Sequence, residues 1–69
     1  MNNTIREIIK NKNLKTIEVI RKVGVAKSYF YDVMNGASIP SLQIARRISD
    51  ELEVPLDELF PEETFETRN

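Results

Sequence analysis

An all-α fold, a compact bundle of five short helices, is predicted for this 69-residue chain by three observations. Between Thr16 and Gly36, apolar residues recur at the three- and four-residue spacing of a helix with one inward face. Stop signals divide that pattern at Gly24 and Asn35-Gly36, where a helix ends most cheaply in a left-handed residue. The length suits one small domain, near the lower limit at which a single hydrophobic core suffices without staples. The domain is expected to span residues 1–61, with a short acidic tail over 62–69.

Helix one is expected from Thr4-Ile5-Arg6-Glu7, whose spacing is that of a capping box, to about Lys12. Ile5, Ile8 and Ile9 form its inward stripe, and Leu14 then returns the chain to the core. Helix two starts near Thr16, faces inward with Val19, Ile20 and Val23, and stops at Gly24. Val25 pins the turn with one apolar side chain. Helix three starts at Ala26 or Lys27 and ends near Met34, with Phe30 and Val33 inward and Lys27, Ser28, Tyr31 and Asp32 outward. Alanine has no oxygen to cap with, so Ser28 or water has to cover the first amides. In helix four, Ser41 is the N-cap after Pro40, and Leu42, Ile44, Ala45, Ile48 and Leu52 point inward. Helix five runs from Pro55 to about Phe60 before Pro61 blocks continuation. Its Leu56, Leu59 and Phe60 offer more apolar surface than so short a helix hides alone.

Composition narrows the function. Cysteine and histidine are both absent, which removes the thiol nucleophile, the commonest general base and the commonest zinc ligands. No catalytic residue, metal or cofactor is expected. No apolar run approaches the roughly 20 residues of a membrane span and no signal peptide opens the chain, so a cytoplasmic protein is expected. The net charge of −1 conceals a division. Residues 1–49 hold nine basic and three acidic side chains, +6, and residues 50–69 hold one basic and eight acidic, −7. Such asymmetry points to a polyanion at one surface, or to two solvated faces that differ in sign.

Leu14, Val23-Gly24-Val25, Phe30, Val33, Asn35-Gly36, Pro40-Ser41-Leu42 and Val54-Pro55-Leu56-Asp57-Glu58-Leu59-Phe60 stand in an order and at gaps with one known parallel. The series resembles the helix-turn-helix of the phage-repressor family (Cro-like, or xenobiotic-response-element type) and covers residues 4–60. The resemblance implies a lambda-repressor-like domain, with the helix-turn-helix at 16–34 and helix three in the major groove. By position it assigns base reading to Ala26, Lys27, Ser28, Tyr31 and Asp32. Lysine suits guanine O6/N7, serine several base edges, alanine a thymine methyl and aspartate a cytosine amino group. Tyr31 reaches a phosphate through its hydroxyl or packs on sugar and base, whereas Asp32 alternatively pairs with a lysine. Phosphate contacts fall to Lys15, Thr16, Tyr29, Asn35 and Ser38, with Tyr29 alternatively at the core edge. Lys15-Thr16 replace the family's small cap and glutamine, and Ile20 stands where the family prefers alanine. Ala37, Ser38 and Ile39 replace its basic backbone clamp. Arg46 and Arg47 either meet DNA or solvate helix four.

The expected function is transcriptional regulation, most simply repression by promoter occupancy, as a homodimer on a pseudo-palindromic operator. Leu56, Leu59, Phe60 and Phe65 are the expected dimer contacts, and an antagonist protein is a further candidate partner. The competing expectation is a protein-interaction adaptor that uses the same fold and its acidic end without DNA.

Overall fold

The computed structural model describes residues 3–61, and all regular structure among them is helical. The order is α1 (Ile5–Asn11), α2 (Thr16–Val23), α3 (Lys27–Met34), α4 (Leu42–Leu52) and α5 (Leu56–Leu59). The proposed tail and its Phe65 lie outside the described residues.

Each helix contributes to one core. Ile5 and Ile9 come from α1, Val19, Ile20 and Val23 from α2, and Phe30, Val33 and Met34 from α3. Ala45, Ile48 and Leu52 of α4 meet them, together with Leu59 and Phe60. A fully buried side chain of this size contributes about 1.5–3 kcal/mol. α2 packs chiefly on α4, which therefore serves as the platform beneath the first helix of the pair.

Four left-handed residues end four helices. Gly24 (φ 84) closes α2, its N–H donating to the Ile20 carbonyl at 3.0 Å. Asn13 (φ 56), Gly36 (φ 83) and Glu53 (φ 59) close α1, α3 and α4. In these three, the left-handed residue and its successor bond back across the last turn. At α4, for example, Glu53 N–H donates to Asp50 O and Val54 N–H to Ser49 O. Asparagine tolerates that backbone better than most residues, but glutamate there carries a steric cost. Lys12 supports this end of α4 from a distance: its Nζ donates to the Leu52 carbonyl at 2.8 Å.

Several expectations from the sequence need correction. The capping box does not form. Thr4 has φ −109 and ψ 16, outside the extended region a cap uses, and its hydroxyl donates to the Glu58 carbonyl at 3.1 Å. Asn3 substitutes, its Oδ1 accepting from Ile5 N–H at 3.1 Å. Leu14 does not return to the core and stays 39% exposed. Ile44, by contrast, packs against the core as expected, and Leu42 beside it is half-buried. The largest correction concerns α5. Leu59 and Phe60 are fully buried within this one chain, because the first turn of α1 closes over them: Thr4 N–H donates to the Leu59 carbonyl at 3.0 Å. Leu56 is half-buried.

Candidate nucleic-acid interface

The helix pair α2–α3 is built from a short turn. Gly24 reverses the chain without steric penalty, and no atom stands within 4 Å of where a Cβ would project. Val25 is half-buried against the core, as the sequence suggests. Ala26 is extended (φ −65, ψ 143), and its carbonyl accepts the first α3 bond, from Phe30 N–H, at 3.0 Å.

Burial of Phe30, Val33 and Met34 fixes which side of α3 faces out. Ala26, Lys27, Ser28 and Asp32 are exposed, four of the five residues assigned to base reading. Among the described residues, no hydrogen bond or ion pair ties down the side chains of Lys27, Ser28 or Asp32. Ser28, Asp32 and Asn35 fall at i, i+4 and i+7, so they form one outward stripe. Tyr31, expected to point outward, is half-buried and packs against the core, as does Tyr29. The two rings flank the stripe, each with part of its surface on the protein interior. Ser28 does not cap the helix, and no side chain does.

The phosphate candidates divide similarly. Lys15 is exposed at the extended residue before α2, and Thr16 is half-buried. Ile17 beside them is 45% exposed. Lys15 also borders a shallow groove lined by Leu14, Glu18, Val19, Lys22 and Glu51, across which Lys22 and Glu51 pair at 3.8 Å. Beyond α3, the main chain is less available than the sequence implies. Ala37 and Ser38 N–H both donate to the Asp32 carbonyl, at 2.7 and 3.1 Å, and Gly36 N–H donates to Val33 O. Those amides close the helix and are not offered to a phosphate. Ser38 is half-buried, whereas Ile39 is 70% exposed.

One residue at this surface escaped the sequence reading. Arg6 of α1 donates through Nη2 to Asn35 Oδ1, across 29 positions of sequence. Asn3 fastens the same corner, its Nδ2 donating to the Val33 carbonyl at 2.9 Å. Arg6 reads locally as one more exposed residue on a helix, and no short-range pattern signals its partner.

No helix among the described residues is long and apolar enough to cross a membrane. No individual curated protein matches the chain. The family model described as "Helix-turn-helix" matches residues 3–59, which takes in all five helices. The chain therefore belongs to the helix-turn-helix family of Cro and lambda-repressor (XRE) type, a family of DNA-binding transcription regulators.

Proposed function

We propose that this protein is a sequence-specific repressor that binds a pseudo-palindromic operator as a homodimer, with α3 in the major groove. The observation that carries this is the outward face of α3, where Ala26, Lys27, Ser28 and Asp32 stand exposed, with no side-chain partner for the last three among the described residues. Lys27 reads guanine, Ser28 and Asp32 set the neighbouring bases, and Ala26 offers a methyl to thymine. Tyr31 contributes the edge of a ring already anchored in the core. Lys15, Thr16, Tyr29, Asn35 and Ser38 hold the sugar-phosphate backbone, which positions α3 without specifying sequence. The +6 charge of residues 1–49 supplies the attraction to DNA.

Two copies related by a two-fold axis would place their α3 helices about 34 Å apart, one turn of DNA. Of the described residues first expected at the dimer contact, Leu56 alone keeps accessible surface. Repression follows from promoter occupancy, and control from protein concentration or from an antagonist protein. The protein acts in the cytoplasm, on the nucleoid. A second reading, an adaptor without DNA binding, draws on the −7 charge of residues 50–69.

The test is selection from a random pool of duplex DNA at near-physiological salt, followed by sequencing of what the protein retains. An enriched inverted repeat is the expected result, and its half-site identifies the bases opposite Lys27, Ser28 and Asp32. A folded protein that enriches nothing overturns the repressor and favours the adaptor.

A further inference from the structure

We propose that Arg6, on α1, is a phosphate-binding residue of the DNA interface and replaces the positive charge missing from the loop after α3. This rests on the DNA-binding reading above.

The loop residues Ala37, Ser38 and Ile39 carry no charge, and the Ala37 and Ser38 amides are occupied by the Asp32 carbonyl. Main-chain and side-chain donors for a phosphate are therefore scarce where the chain leaves α3. The fold brings a guanidinium to that place. Arg6 Nη2 bonds Asn35 Oδ1, and Asn35 ends the outward stripe that starts at Ser28 and passes through Asp32. The corner is held from both sides, by Asn3 on the Val33 carbonyl and by Thr4 N–H on the Leu59 carbonyl. Arg6 is thus presented from a short, pinned helix rather than from a swinging loop.

Its chemistry suits the role. Guanidinium has five N–H donors in a planar fork, and the bond to Asn35 uses one nitrogen. The remaining donors match the spacing of phosphate oxygens, and the charge persists at every physiological pH. Arg6 is exposed, and among the described residues it pairs with no carboxylate. Asp32, one turn earlier on the stripe, repels phosphate from its own side. A phosphate is therefore directed towards the Arg6–Asn35 end.

The experiment measures affinity for the selected operator by fluorescence anisotropy across a salt series, for the full chain and for Arg6→Ala, Arg6→Lys and Asn35→Ala. Circular dichroism accompanies each as the folding control. Loss of one phosphate contact makes the plot of log affinity against log salt shallower by about 0.9 per bound subunit. Arg6→Ala is expected to show that change and to lose affinity evenly across related operators. Arg6→Lys restores the slope, and Asn35→Ala retains most of it, because the charge remains. Should Arg6→Ala not fold, Arg6→Lys against Arg6→Gln makes the same comparison of charged with neutral. An unchanged slope for the neutral variant overturns the proposal, even where affinity falls, since that result makes Arg6 only a support for Asn35. Failure of the DNA-binding reading looks different: the unmodified chain then binds no duplex at any salt, and both inferences fall.

Discussion

α3 and α4 begin on almost the same backbone and differ by one oxygen. Ala26 lies at φ −65, ψ 143 and Ser41 at φ −65, ψ 160, both extended and both followed directly by helix. Ser41 Oγ accepts from Ile44 N–H at 3.2 Å, whereas Ala26 leaves the first α3 amides without a side-chain acceptor. The backbone at Ala26 would accept serine without strain, so conformation does not impose the bare start. α2 also starts uncapped, at Lys15. The lesson concerns what each helix has to do. α4 is the platform for α2, and the chain closes its first turn itself. The two helices of the helix-turn-helix pair, like α5, start without a side-chain cap, and Lys15 and Lys27 stand exposed at their starts.

The comparison can be broken or sharpened in four ways. Phe30→Ala removes the largest α3 side chain from the shared core and is expected to cost about 3–5 kcal/mol. That approaches the whole stability of so small a domain, so both helices should melt together in a thermal circular-dichroism scan. Lys27→Glu acts on the open face alone. It removes a contact of about 1–3 kcal/mol and adds repulsion, so operator binding should vanish while the helical signal is unchanged. Unaltered affinity would remove α3 from the groove.

The third test exchanges the starts. Ser41→Ala is expected to destabilise by about 1 kcal/mol and Ala26→Ser to stabilise by a similar amount in urea titrations. If Ala26 also touches DNA, the second variant binds its operator more weakly although it is more stable. Tighter binding by Ala26→Ser would instead mean that α3 needs a firmer start and no ligand at that turn. The smallest effect is at the helix ends. Glu53→Gly relieves a left-handed glutamate and should gain less than about 1 kcal/mol, whereas Gly24→Ala should lose about 1 kcal/mol. At Gly24 the cost is purely conformational, because a Cβ there meets nothing.

Much of this molecule was readable before folding. Val19, Ile20 and Val23, then Phe30 and Val33, reveal the inward faces because burial and helical period coincide there. Gly24, Gly36 and the Ser41 cap are readable because each depends on the φ of one residue or on an oxygen three positions from its amide. The exposed candidates Lys27, Ser28 and Asp32 follow from the same periodicity, since they are what the inward face leaves over. Tyr31 shows where that inference weakens: a large ring at the border of the stripe turns part of its surface to the core.

Sequence alone therefore determined five helices in order, most of their ends, the helix-turn-helix and the charged character of its face. These depend on interactions within about four residues, which repeat wherever the same pattern occurs. Tertiary structure decided which of several competing partners each longer-range group takes. The spacing of Thr4 and Glu7 suggests a local cap, yet the Thr4 hydroxyl donates to the carbonyl of Glu58, 54 positions away. Lys12 reaches Leu52 across 40 positions and Arg6 reaches Asn35 across 29. Leu59 and Phe60 read as surplus apolar surface until α1 closes over them. A local pattern carries no information about which distant group will arrive. That choice is made where α1 meets the ends of α3, α4 and α5, because packing of the apolar faces brings these polar groups within bonding distance of one another.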